Sequence, residues 1–182
     1  MKTLKTIFFS AILFTSFSGF SQTEKEMKIM KDAESAKMKM VKTNKGLKTF
    51  MDESTAYVIF PNVGEGALIV GGASGNGVVY ENGKSVGLAD LKKIDIGLQA
   101  GGQALSESMF FETEEALAKF KDDELTFSAE ASTVILESGA SKNANYNDGV
   151  LVFAMPKAGV MADLSIGGQH LSYNAFDNRA KK

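Results

Sequence analysis

The stretch "IFPNVGEGALIVGGASGNGVVY", Ile59 to Tyr80, sets six glycines and one proline among β-branched and aromatic residues. Glycine at that density has two physical explanations: it cradles phosphate, or it lets strands bulge, bend or approach another group closely. The dinucleotide fingerprint needs a strand before its glycines and a helix after them, so that phosphate meets the helix N-terminus. Here Gly72, Gly75 and Gly77 run into "VVYENGK", which reads as strand and hairpin, and the Walker lysine and hydroxyl pair is absent. Nucleotide binding is set aside, and the glycines are assigned to a strongly curved sheet.

Outward from this stretch the period is two, with short runs bounded by glycine and asparagine, as expected of an antiparallel sheet. Strands are predicted at about 56–60, 66–72, 76–81, 84–89, 94–101, 104–111, 125–137, 150–155 and 160–167. Asn82-Gly83 marks a tight hairpin, because both residues tolerate the positive φ angles of a two-residue turn. A helix is predicted from Thr113 to Lys121, with Thr113 as its cap and Glu114 and Glu115 at its positive end. Gly139 to Gly149 is one long polar loop. The two prolines sit in matching surroundings, "YVIFPNVGEGALIVGG" and "VFAMPKAGVMADLSIGG", and "AGGQALS" is echoed by "IGGQHLS". These echoes suggest one hairpin geometry, with a turn after each proline, used twice in one sheet.

On the N-terminal side the pattern changes to helical. Met27, Met30, Ala33, Ala36, Met40, Leu47 and Met51 recur at spacings of three and four or their sum, with lysines filling much of the rest. Asn44-Lys45-Gly46 is expected to break this run into two helices through a left-handed turn. Before it, Lys2 and Lys5 precede an apolar run from Ile7 to Phe20 that ends in small residues. This is the pattern of a secretory signal peptide over residues 1–21, with Gly19 and Ser21 at the cleavage site and Gln22 opening the mature chain. The run falls short of the ~20 residues of a membrane span.

Composition narrows the chemistry. The 182-residue chain has no cysteine, so disulfides, thiolate catalysis, thiolate metal sites and lipoprotein acylation are excluded. The remainder after the signal is the size of one domain, read as a helical segment 24–55 and a β-rich body 56–175 within 22–182. Net charge is −2, and removing Lys2 and Lys5 makes it more negative still, which argues against nucleic acid as partner. His170 is the sole histidine, beside Gln169 at a predicted strand end, where a polar surface role is expected. No cluster at metal-ligand spacing accompanies it. Asp122, Asp123 and Glu124 lack the central glycine and alternating ligands of a calcium loop and read as a solvated helix exit. In "GLQAGGQALSES", Gly97 to Ser108, Gln99 and Gln103 share a strand face, as do Ser106 and Ser108. They read as the solvent face of a strand or as a polar pocket lining.

The lysine and methionine helix is the strongest functional signal. A basic amphipathic helix can lie in the headgroup plane, its lysines meeting anionic phosphates at roughly 1 kcal/mol each and its methionines entering the acyl boundary. The same stripe could instead pack on the sheet.

Three segments, "AYVIFPNVGEGALIVGG", "IGLQAGGQALSESMFFETEEALAKF" and "NDGVLVFAMPKAGVMADLSIGGQHLSY", resemble the SYLF lipid-binding family, particularly its bacterial exported branch. The resemblance spans roughly Ala33 to Tyr173. It implies a phospholipid-binding module in which a basic N-terminal helix adjoins a compact β-rich body. The expectation is an α+β fold: an antiparallel, strongly curved or barrel-like sheet with an N-terminal helical segment and one inserted helix. Lys25, Lys28, Lys31, Lys37, Lys39 and Lys42 are the candidate headgroup contacts. Met27, Met30 and Met40 are candidates for contacting acyl chains or docking the helix. The expected function is non-catalytic phospholipid binding in the cell envelope, periplasmic or peripherally membrane-associated, without metal, nucleotide or other cofactor. The alternative is an envelope structural protein whose sheet recognises a protein partner.

Overall fold

The computed structural model describes residues 23–65, 72–94, 104–123, 126–128, 133–136, 144–157 and 168–176. The expected signal segment, Gln99 and Gln103 lie outside them, as do most of the strands expected at 66–72, 94–101 and 160–167. The elements are α1 (Glu24–Thr43), α2 (Leu47–Glu53), β1 (Ala56–Glu65), β2 (Gly72–Glu81), β3 (Lys84–Ile94), β4 (Ala104–Phe111), α3 (Glu114–Lys121), β5 (Thr126–Ser128), β6 (Thr133–Ile135), β7 (Val150–Pro156) and β8 (Gly168–Ala175).

The fold is α+β, with one eight-stranded sheet ordered β5-β8-β3-β2-β1-β4-β7-β6. It is mixed rather than purely antiparallel, because β6 runs parallel to β7. It is also open: β5 and β6 are its edges, and among the described residues no pairing joins them, so the barrel-like sheet expected from the glycine content is not formed. The expected strand 125–137 divides into these two short pieces, which pair with different neighbours, β8 and β7.

In the described part the strand glycines make room for rings rather than closing a barrel. A Cβ on Gly77 would lie 2.6 Å from Phe60 Cδ1, and one on Gly87 would lie 2.6 Å from Tyr173 Cε2. Each ring therefore rests on bare backbone. Pro61 is not followed by a turn. β1 continues to Glu65 through an irregularity in register around Pro61, a position that spares a proline from donating to the ladder. Asn82 and Gly83 do form the hairpin turn between β2 and β3, with φ of 50° and 74°.

Alternation places two cores on the two faces. Val58, Phe60, Val79, Leu91, Met109, Phe111, Val152 and Leu171 face α3, whose Ala116, Leu117 and Phe120 cover them. Phe120 stacks on Phe111 at 4.9 Å between ring centroids. Tyr57, Ile59, Val78, Tyr80, Phe110, Leu151 and Phe153 face α1 and α2. The helix break falls at residues 44–46, though not through a left-handed residue: Asn44 is extended at φ −140° and Gly46 is right-handed. Asn44, itself buried, holds the break by accepting the Gly46 N–H on Oδ1 at 3.0 Å, a side-chain turn that competes with helix continuation.

Candidate functional site

α1 begins with a capping box. The Thr23 hydroxyl accepts the Glu26 N–H at 3.3 Å, and the Glu26 carboxylate accepts the Thr23 N–H at 3.1 Å. Two orphan backbone donors are thereby satisfied, and Glu24 and Glu26 complement the positive end of the helix. One side of α1 is docked: Ala33, Ala36 and Met40 are buried, and Ile29 and Met30 pack partly against the same core. Two small alanines let the helix approach β1 and β2 closely, and Met40 fills the space beside them. Burying Met40 and Leu47 supplies about 1.5–3 kcal/mol each.

The opposite side of α1 carries the basic residues. Lys25, Lys28, Lys31, Lys39 and Lys42 are exposed. Met27 and Met38, at 51% and 60% exposure, are two of the three large exposed hydrophobic side chains among the described residues. At 3.6 residues per turn, Met27, Lys31, Met38 and Lys42 fall within about 60° of arc. Met38 lies off the stripe of Met27, Met30 and Met40 and was missed as a candidate; its spacing of eleven from Met27, three helical turns, is the signal that places it.

The six candidate lysines divide. Lys28 pairs with Asp32 at 2.5 Å. Lys37 turns inward: its side chain is only 22% exposed, pairs with Glu34 at 2.6 Å, and stands 4.9 Å from the centroid of the Tyr80 ring. Lys25, Lys31, Lys39 and Lys42 make no ion pair among the described residues. Of the candidate methionines, Met27 is outward, Met30 partly buried and Met40 wholly buried, so docking is the role Met40 takes. Beneath the helix Tyr57 and Tyr80 stack at 4.9 Å with their planes 12° apart. Burial, and then the nearby Glu34 carboxylate, push both phenols above their ordinary range.

The other polar candidates are placed differently. Ser106 and Ser108 are buried, which overturns the solvent-face reading; Ser106 donates to the Pro61 carbonyl at 2.9 Å and helps hold the irregular part of β1. His170 is exposed within β8, opposite Lys92 and Thr126, rather than at a strand end. Asp123 accepts the Tyr173 N–H at 3.0 Å and ties the exit of α3 to β8. Glu107 is buried on the face that carries Leu105 and Met109, a burial no sequence pattern announced. No described helix is long and apolar enough to cross a membrane. No protein-family model matches the chain, and no curated protein is found similar to it.

Proposed function

We propose that the protein binds anionic phospholipid at a membrane surface through the outward side of α1, without catalysis. The observation that carries this reading is one helix with two unlike sides: Ala33, Ala36 and Met40 are packed on the sheet, while Met27 and Met38 stand in solvent among lysines that have no acidic partner. An exposed methionine in water is unfavourable by part of its burial energy, whereas at the acyl boundary it is covered. Lys31, Lys39 and Lys42 would each add about 1 kcal/mol against an anionic leaflet. Three lysines and two half-exposed methionines together support reversible, peripheral attachment rather than permanent anchoring.

The resemblance to the SYLF family supports the same reading, as does the signal-like N-terminal sequence, which would deliver the chain to the cell envelope with this helix near its new N-terminus. Export, a periplasmic or membrane-peripheral location and membership of that family are part of the proposal. Co-sedimentation with vesicles tests it. Binding should be strong on anionic vesicles at low salt and weaken steeply as ionic strength rises. Equal recovery on neutral and anionic vesicles at every salt concentration would falsify it.

A further inference from the structure

A cleft of about 220 Å³ opens where the first turns of α1 pass the irregular part of β1, lined by Lys25, Lys28 and Asp32 from the helix and Pro61, Asn62 and Asn76 from the sheet. Asn62 and Asn76 are register partners across β1 and β2. Both side-chain amides are committed at one end, and the chemistry of their partners fixes which end. The Asn62 Oδ1 accepts from the Lys157 ammonium, which can only donate, so its NH₂ is left for the cleft. The Asn76 NH₂ donates to the Asp90 carboxylate, which can only accept, so its Oδ1 is left. Asp90 is held in turn by the Asn174 amide at 3.3 Å. Asp32 gives one oxygen to Lys28 at 2.5 Å and keeps the other.

The cleft is therefore bipolar. Lys25, Lys28 and the Asn62 amide offer positive charge and donors; Asp32 and the Asn76 carbonyl offer negative charge and acceptors. A simple phosphate would satisfy only the first set and a simple amine only the second. Sites that enclose a whole ligand run to about 300–1,000 Å³, so this volume suits a headgroup and not an entire lipid.

We propose that this cleft binds a phosphoethanolamine group, the phosphate on Lys25, Lys28 and Asn62 and the primary ammonium on Asp32 and Asn76. The ammonium N–H bonds are what the acceptors read. A trimethylated choline head has none to give and is discriminated against. The group can come from a membrane lipid or from a soluble phosphoester. The lipid source rests on the membrane reading of α1; recognition of the group itself does not.

The test is titration of the purified protein with O-phosphoethanolamine, phosphocholine and inorganic phosphate, read by NMR at the side-chain amides of Asn62 and Asn76. Phosphoethanolamine should shift both amides and bind about fivefold or more tightly than either comparator, the margin of one added charge-assisted hydrogen bond. Asp32→Asn should bring the ratio to phosphocholine close to one, and Lys25→Gln should weaken all three ligands. Equal affinity for phosphocholine, or amides that no ligand moves, overturns the proposal. Vesicles of constant anionic content with ethanolamine or choline lipid as the remainder identify the source. A preference for ethanolamine vesicles that Asp32→Asn removes supports the lipid, while discrimination confined to the soluble compounds supports a free phosphoester. If anionic vesicles are ignored altogether while phosphoethanolamine still moves the two amides, the helix reading falls and the cleft stands.

Discussion

The Phe60 ring of β1 covers Gly77 of β2 so closely that a methyl group on Gly77 would sit 2.6 Å from the ring and 2.9 Å from the Ile59 carbonyl. Gly77→Ala must push either the ring or the strand aside, and overpacking of this kind costs about 1–3 kcal/mol. The carbonyl is backbone and cannot rotate away. Urea unfolding should show that loss for Gly77→Ala, with part of it recovered in Phe60→Leu/Gly77→Ala, whose slimmer side chain relieves one of the two contacts.

The two sides of α1 should respond oppositely to substitution. Met40→Ala removes a fully buried side chain and should cost about 2–5 kcal/mol of stability. Met27→Ser and Met38→Ser touch solvent-facing positions and should stay within about 0.5 kcal/mol of the parent. Vesicle affinity should reverse the ranking: the Met27 and Met38 substitutions weaken it while the fold, followed by circular dichroism, is unchanged.

Charge reversal separates attraction by α1 from attraction by the protein as a whole. The triple variant Lys31→Glu, Lys39→Glu and Lys42→Glu should abolish binding to anionic vesicles, a loss of at least about 3 kcal/mol if each lysine contributes roughly 1. Lys119→Glu, on α3 across the sheet, changes charge without touching that surface and should leave binding nearly intact. A triple variant that still co-sediments would move the membrane contact elsewhere.

Alkaline pH should destabilise the protein through Tyr146, whose phenol is pushed up from 10.0 to about 12, first by burial and then by the Glu112 and Glu53 carboxylates. A folded-state value above the unfolded one means that the folded state holds its proton longer. This contribution is complete below about pH 10 and is lost as pH rises toward about 12. Tyr57 and Tyr80 shift in the same direction and deepen the loss. Tyr146→Phe keeps the ring beside Phe50, 6.1 Å between centroids, and should show a shallower decline in unfolding free energy across that window.

Much of the fold was legible because it depends on neighbours in the chain. Thr113 caps α3, accepting the Ala116 N–H at 3.2 Å, where a threonine precedes two glutamates. Asn82-Gly83 turns where two residues with positive φ are needed. β4 runs from Ala104 to Phe111 as its alternation indicated. What failed depends on partners distant in sequence. β5 and β6 were read as one strand because a period of two identifies a strand without naming its neighbour. β8 was missed because "GQHLSYNA" carries few apolar residues, and its pairing with β3 supplies what its composition lacks.

The candidate surface divides along the same line. Helical spacing by itself determined that Glu24 to Thr43 would be a basic helix with methionines along it, since the 3.6-residue period is a property of the local backbone. Only the tertiary structure decided which methionines face water, which lysine turns onto Tyr80, and that Asn62 and Asn76 meet beside Lys25. A periodic stripe has a direction only once something packs against it, and the sheet that packs against α1 is assembled from strands as far along the chain as β7.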